Sequence, residues 1–205
     1  MAYANWLQPS KTSGSGNDTV NLSALSNNTG RNSRSTIITF KAANCNDVQR
    51  TVLQAGKPVT TSIQSTAAVG KEGGSVTITG KSNSSYLEFS LGSGILSFNL
   101  PSYYSVNGLD FSTTSREGIT GDPGATAEYD FSITISNIYA NSDVNEKSRQ
   151  LLVTDNGSGR TAICTITQAA SDPVLEVVPP QVELPWDASY SCSFYVTSNT
   201  DWTLE

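Results

Sequence analysis

The sequence predicts an all-β protein made of β-sandwiches in tandem, and two observations support this class. Ser, Thr and Asn together make up about a third of the 205 residues, whereas charged residues make up 15%. A polar composition with few charges and many turn formers is typical of sheets that have one face in solvent. Short apolar bursts separated by Gly, Asn, Ser or Pro recur about every ten residues, which indicates sandwiches of the immunoglobulin-like kind.

Individual strands are predicted from apolar residues that alternate with polar ones, the period of a half-buried strand. In the segment 129–136, the residues on one face are Tyr129, Phe131, Ile133 and Ile135. In the segment 161–169, Cys164 shares a face with Ala162 and Ile166, so we expect its thiol in the core. The sequence Asp-Asn-Gly-Ser-Gly at 155–159 predicts a hairpin turn, because Asn-Gly accepts positive φ at little cost.

An internal repeat joins residues 33–59 to residues 148–174. The matched positions are Arg34 with Arg149, Ile37-Ile38 with Leu151-Leu152, and Gln54-Ala55 with Gln168-Ala169. Each copy is typical of a strand, a turn and a second strand. Pro58 and Pro173 follow the two copies, where a proline stops the strand from continuing.

A second repeat joins residues 76–89 to residues 192–205, and it matches Ser82-Asn83 with Ser198-Asn199 and Tyr86 with Trp202. Together the repeats divide the chain into three parts. Residues 1–56 correspond to the C-terminal half of an immunoglobulin-like domain, residues 57–170 to a complete domain, and residues 171–205 to the N-terminal half of a further, truncated domain.

Half of a sandwich exposes an apolar sheet face and unpaired strand edges, which favours pairing with other strands. Three arrangements would cover the exposed face and pair the free strand edges. The chain is a piece of a longer one, which is the simplest explanation, or its two halves complete each other, or one copy completes the next. We therefore expect partners, either other assembly subunits or copies of the chain, at the unpaired strand edges.

The segment WLQPSKTSGSGNDTVNLSALSNNTGRNSRSTIITF at 6–40 and the closing VLQAG at 52–56 resemble the BACON-type immunoglobulin-like domain. The resemblance is looser over 59–170 and partial over 171–205. It implies an immunoglobulin-like sandwich of the kind found in virion proteins of crAss-like tailed bacteriophages and in secreted glycan-degrading systems of gut bacteria. The motifs that carry it are structural, so the resemblance implies no catalytic residue.

Several function classes are disfavoured by composition. The chain has no histidine, which removes Ser-His-Asp catalysis and histidine-based zinc sites. Its net charge of −6 repels phosphate backbones, so we expect no nucleic-acid partner. No apolar run is long enough to span a membrane. Scattered acidic residues and three distant cysteines indicate no catalytic pair, no metal, no cofactor and no disulfide framework, so we expect a protein that is not an enzyme.

Aromatic residues in predicted loops are the only candidates for ligand binding, because sugar rings stack on flat, exposed aromatic faces. Tyr103, Tyr104 and Trp186 are the weak candidates for a glycan site. Adjacent tyrosines on a strand point to opposite faces, so at most one of the pair belongs to the core. Trp6 and Trp202 are expected to be packing residues.

Two functions from different classes fit this sequence. The first is a structural virion protein of a tailed bacteriophage, made in the host cytoplasm, such as a head fibre, a capsid decoration or a tail component, with weak adhesion to host-surface or mucin glycans. The second is a carbohydrate-binding or spacer module of a secreted or cell-surface glycan-degrading enzyme. The first residues lack the basic and apolar regions of a secretory signal, which favours the first function.

Overall fold

The computed structural model describes residues 3–186, 188 and 190–205, and strands dominate this part of the chain. The strands are β1 (Leu7–Pro9), β2 (Leu22–Ala24), β3 (Arg34–Phe40), β4 (Val48–Gln54), β5 (Thr61–Ile63), β6 (Thr66–Val69), β7 (Gly74–Ser82), β8 (Leu87–Gly94), β9 (Tyr103–Val106), β10 (Leu109–Ser112), β11 (Tyr129–Ile138), β12 (Lys147–Asp155), β13 (Thr161–Gln168), β14 (Leu175–Val178) and β15 (Tyr195–Ser198). A 3-10 turn at Pro123–Ala125 precedes β11. The described residues include no helix with the length and apolarity needed to cross a membrane.

Residues 61–168 supply both sheets of a sandwich, which we call the central sandwich. One sheet has five strands in the order β10-β9-β11-β7-β5, and the other has four in the order β6-β13-β12-β8. Neighbouring strands are antiparallel except β6 and β13, which run parallel. The predicted all-β sandwich class is therefore confirmed.

The core of the central sandwich lies between its two sheets. The predicted faces of β11 and β13 are confirmed, because Tyr129, Phe131, Ile133 and Ile135 are buried together with Cys164 and Ile166. Phe89 lies at its centre, with ring centroids 5.1 Å from Tyr104 and 5.9 Å from Phe131. Tilted and edge-on aromatic pairs at these distances add to the stabilisation from apolar burial.

The hairpin turn between β12 and β13 is held by a buried carboxylate. Asp155 Oδ1 accepts hydrogen bonds from the backbone N–H of Gly157 at 3.1 Å and of Ser158 at 2.7 Å. A carboxylate that accepts local N–H groups is a strong turn former. The predicted turn is confirmed at this position, but the positive φ falls on Gly159 and not on Asn156 or Gly157, so the reason predicted from Asn-Gly is wrong.

The N-terminal segment contains two small sheets, one of β1 and β2 and one of β3 and β4. Trp6 and Leu7 are buried, and the guanidinium of Arg34 lies 4.9 Å from the centroid of the Trp6 ring. A cation over an indole face adds to the packing of the ring. The expected packing role of Trp6 is confirmed.

Strand pairing corrects one detail of the internal repeat. Arg34 lies opposite Gln54 in the first hairpin, whereas Lys147 lies opposite Gln168 in the second. Because Gln54 and Gln168 are equivalent, the predicted match of Arg34 with Arg149 is wrong, and Arg34 corresponds to Lys147. The predicted match of Ile37-Ile38 with Leu151-Leu152 is also wrong, by one position, because the registers place Ile38 at the position of Leu151 and Phe40 at the position of Val153.

The C-terminal segment repeats a hairpin of the central sandwich with the same register. Leu175 lies opposite Ser198 in β14 and β15, as Thr61 lies opposite Ser82 in β5 and β7. Trp202, expected to be a packing residue, is 52% exposed. The expected burial of this indole is thus not found.

Thiol labelling should separate the three cysteines by burial. Cys164 is fully buried and burial raises its thiol pKa, whereas Cys45 and Cys192 are exposed. We expect two thiols to react at once with a maleimide or an aromatic disulfide and the third at least ~100-fold more slowly, since it requires opening of the core. Mass spectrometry of timed samples measures this. The variant Cys45→Ser should lose one fast equivalent, and three equal rates in native protein would contradict the assignment of Cys164 to the core.

Candidate binding surfaces and the repeated joint between sandwiches

A buried asparagine side chain joins the N-terminal segment to the central sandwich. Asn83 directly follows β7 and is inaccessible to solvent. Its Nδ2 lies 3.3 Å from the carbonyl oxygens of Thr29, Lys57 and Pro58, and its Oδ1 accepts the N–H of Thr60 at 2.8 Å. One amide therefore satisfies backbone groups from the N-terminal segment, the linker and the first residues of the central sandwich.

Main-chain hydrogen bonds reinforce this joint. The N–H of Arg31 donates to the carbonyl of Gly124 at 2.9 Å, and the N–H of Asn32 donates to that of Ala125 at 3.0 Å. The contact needs glycine, because a Cβ on Gly30 would lie 2.3 Å from the backbone carbon of Thr126. Two chain segments thus meet at a distance that admits no side chain.

Two ion pairs cross the same joint. Arg31 pairs with Asp122, and Lys57 pairs with Glu128. Arg31 also donates from Nη1 to the carbonyl of Asn83 at 3.1 Å. Partly buried, hydrogen-bonded pairs resist screening better than exposed ones, so they contribute to a fixed orientation.

The same arrangement recurs between the central sandwich and the C-terminal segment, with Asn199 in the place of Asn83. Asn199 Nδ2 donates to the carbonyls of Ser142 at 3.2 Å and Asp172 at 2.9 Å. Its Oδ1 accepts the N–H of Val174 at 2.8 Å. The N–H of Ser171 donates to Asp143 O at 2.8 Å, as the N–H of Lys57 donates to Gly30 O at 2.8 Å. The two joints therefore share the same pattern of hydrogen bonds around one asparagine side chain.

Each joint is supported by a second asparagine inside the preceding sandwich half. Asn28 Nδ2 donates to the carbonyls of Asn32 at 2.8 Å and Ala55 at 3.2 Å. Asn141 Nδ2 donates to the equivalent carbonyls of Asn145 at 2.9 Å and Ala169 at 3.0 Å. These bonds hold the loop that the joint asparagine reaches, so loop and linker are fixed together.

Both ends of the chain present sheet faces that are covered in the central sandwich. Phe40 is 46% exposed, although its equivalent Val153 is fully buried. Val48, opposite Phe40 on the same face, is 43% exposed. Ile37 and Leu53 are also exposed but lie on the other face of this hairpin, and Leu22 and Leu25 lie in or beside β2. A cleft of about 360 Å³ opens over Ile38 and Phe40. Apolar surface gathered in this way is typical of an interaction site.

The C-terminal segment is similarly open. Its exposed large apolar residues are Val174, Leu175, Val177, Val178, Leu184, Trp186, Tyr190, Phe194, Tyr195, Trp202 and Leu204. Within the described residues, β14 and β15 form a sheet of two strands with no second sheet over it. A hairpin of this size is marginal in water unless one face is covered.

The three predicted glycan candidates lie in different environments and do not meet in one site. Tyr103 is 61% exposed on β9, and Trp186 is 98% exposed near the C-terminal hairpin. Tyr104 is 2% exposed, and its hydroxyl accepts the N–H of Leu87 at 3.3 Å. Tyr104 is therefore a core residue with no open ring face, because alternation along β9 turns it inward, and of the three candidates only Tyr103 and Trp186 expose their rings.

Other polar chemistry is sparse among the described residues. They contain no group of three or more Cys, Asp or Glu side chains arranged to hold a metal ion. Tyr129 is buried beside the first joint, where burial raises its pKa and its hydroxyl donates to Ser84 O at 3.0 Å. This tyrosine is a structural donor, since it keeps its proton at ordinary pH.

A family model described as "BACON: Putative binding domain, N-terminal" matches residues 1–55. Residues 1–55 are similar to the domain that this model describes. This confirms the resemblance predicted from the sequence for this part of the chain, and the BACON match covers about a quarter of its length. No curated protein matches the chain.

Three solved structures show distant similarity to this chain. An endo-fucoidan hydrolase of glycoside hydrolase family 107 is 14% identical, with a TM-score of 0.30, over 84% of this chain and 23% of that chain. A protein from Bacteroides thetaiotaomicron is 15% identical, with a TM-score of 0.26, over 57% and 90%. Zebrafish RET cadherin-like domains 1 to 4 are 13% identical, with a TM-score of 0.34, over 68% and 34%.

Similarities this distant carry no statement about activity or ligand. The chain spans less than a quarter of the length of the fucoidan hydrolase, so the activity of that enzyme is not transferred to it.

Replacing the joint asparagines should test their contribution to stability. Asn83→Ala leaves the N–H of the half-buried Thr60 and three carbonyls without their partner, so we expect a loss of about 1–3 kcal/mol in the free energy of unfolding. Asn199 is less buried, so Asn199→Ala should cost less. Urea denaturation followed by circular dichroism measures both. The exposed Asn99→Ala is the matched control, and equal effects of Asn83→Ala and Asn99→Ala would contradict the role of the joint amide.

Proposed function

We propose that the chain is a structural protein of a tailed-bacteriophage virion, such as a head fibre, a capsid decoration or a tail component, built of immunoglobulin-like modules. The observation that carries this proposal is the pair of open sheet faces on either side of a complete sandwich. Faces of this kind are stable in water only when another chain segment covers them. A subunit of a larger assembly meets that condition.

The partners in this proposal are other virion subunits or further copies of the chain, bound through the unpaired strand edges. Strand addition supplies affinity through main-chain hydrogen bonds and specificity through alternate side chains. The site of action is the virion, after synthesis in the host cytoplasm.

The repeated joint also supports a structural role. Both linkers are tied to the sandwiches through buried or half-buried amides and short main-chain bonds, so the modules are connected by ordered segments. An ordered linker transmits orientation, whereas a Gly/Ser linker would not. A fibre or decoration protein requires that stiffness, and it requires no catalytic group.

Mass spectrometry of purified phage particles tests the virion role. Phage particles from the strain that encodes the chain are purified on a density gradient. They should contain peptides of the chain at a fixed ratio to the major virion protein. An abundant host cytoplasmic protein is the control for contamination. Peptides confined to particle-free medium or to the cell envelope would contradict the virion assignment.

A second function is supported by the exposed aromatic residues. A carbohydrate-binding or spacer module of a secreted or cell-surface glycan-degrading enzyme would use Tyr103 and Trp186 as stacking faces. The matching family is itself described as a putative binding domain. The same stacking faces would give a virion protein weak adhesion to host-surface or mucin glycans.

A glycan array with variants separates binding from scaffolding. If either aromatic binds sugar, Tyr103→Ala or Trp186→Ala should lower the array signal by about 2- to 10-fold, since stacking of this kind contributes roughly 0.5–1.5 kcal/mol. Ser102→Ala, on an exposed neighbour of Tyr103, is the control. A signal that neither aromatic variant alters would remove both residues from any glycan site.

A further inference from the structure

We propose that the open core face of residues 1–56 binds residues 171–205 of a second copy of the chain, so that copies join head to tail. This inference specifies the partner in the proposed function and rests on that function only for its biological setting. The contact is heterologous, because a different surface of each copy takes part.

The first support is the identity of the uncovered positions. In the central sandwich, the equivalents of the N-terminal core-facing residues are covered by the strands that precede them in the chain. The equivalent pairs are Ile38 with Leu151, Phe40 with Val153, Val48 with Ala162, Val52 with Ile166 and Arg50 with Cys164, so this face is apolar with one positive charge. Leu151, Val153 and Ile166 are fully buried, whereas their N-terminal counterparts keep contact with solvent. The N-terminal segment thus presents an open sheet face, here called the acceptor face, which the N-terminal half of another sandwich can cover.

The second support is that the C-terminal segment has the structure of such a first half. Its hairpin has the register of β5 and β7, which places Val177 at the position of Ile63. Ile63 packs against the core of the central sandwich, whereas Val177 is 46% exposed. The chain therefore carries both surfaces of a contact that its own central sandwich shows in assembled form.

The third support is charge. Residues 1–56 contain five basic and two acidic residues, for a net charge of +3. Residues 171–205 contain six acidic residues and no Lys or Arg, for a net charge of −6. Opposite charges favour contact between unlike ends, and like charges oppose contact between two N-terminal or two C-terminal segments. This asymmetry favours head-to-tail joining over a symmetric dimer.

The composite sandwich is less complete than the central one. By the match of Tyr86 with Trp202, Thr203 to Glu205 correspond to the first three residues of β8. The outer edge of β3 corresponds to the edge of β12 that β8 covers, and within residues 171–205 only Thr203 to Glu205 correspond to β8. We therefore expect a reversible contact with a dissociation constant of roughly micromolar size.

Sedimentation velocity of the 205-residue chain tests the association. The average mass should rise from 21.7 kDa towards multiples of that value between about 1 and 100 μM, since the dissociation constant expected here is roughly micromolar. Raising salt from about 50 to 500 mM should weaken association several-fold, because the charges of the two segments are then screened.

Two variants then separate head-to-tail joining from every other contact. Phe40→Asp places a carboxylate on the acceptor face. Val177→Asp places one on the donor face, which is the side of the β14–β15 hairpin that carries Val177. Each variant alone should remain monomeric, with the apparent dissociation constant raised at least ~100-fold, because an unpaired carboxylate resists burial. Mixed in equal amounts, the two variants should form a 1:1 dimer and nothing larger, because one intact donor face meets one intact acceptor face.

Tyr139→Asp is the matched control, since Tyr139 is 82% exposed on the central sandwich. It should associate like the unaltered chain, and circular dichroism should show that all three variants keep their strands. A chain that is monomeric at every concentration, or variants that do not complement when mixed, would overturn the proposal. The virion role would survive that outcome with a different subunit on the acceptor face, whereas self-association without virion incorporation would contradict only the proposed function.

Discussion

Buried backbone groups must be paired, and the joint between sandwiches shows how one side chain meets this requirement for three segments. A linker that passes between two packed units carries N–H and carbonyl groups out of water. Asn83 is short, planar and able to donate and accept at once, so it serves the loop at Thr29, the linker at Lys57 and the strand entry at Thr60. A charged or purely donating side chain could not do this. The order of the linker depends on that amide.

The open faces follow from a different constraint. A sandwich is stable because each sheet covers the apolar face of the other. In the central sandwich both sheets come from one stretch of chain, and Leu151, Val153 and Ile166 lose all contact with water. In the terminal segments the strand pairing is the same and the cover is missing, so identical local rules leave Phe40 and Val177 at the surface. What the two terminal segments do therefore depends on which chain segment covers their open sheet faces.

Sequence patterns were sufficient for the properties that depend on local order. Period-two alternation located the inward faces of β11 and β13, and Asn-Gly located the turn after Asp155. The repeat alignment failed by two residues at Arg34, because similar residues two apart on a strand point to the same face and only the partner strand fixes the register. Alternation predicted that at most one of two adjacent tyrosines is internal, and the structure buries Tyr104 and exposes Tyr103. The match of Asn83 with Asn199 was visible in the sequence, but its meaning was not, since their partners lie more than twenty positions away.

The duplicated joint has a consequence for how such a chain can change length. The bonds of the Asn199 side chain use positions that have counterparts one repeat earlier, so a duplicated stretch of coding sequence brings its own connector with it. Insertion or loss of whole repeats then leaves the angle and spacing between successive units unchanged. The length of the molecule can therefore change in evolution by a constant amount per repeat, without new contacts at the joints.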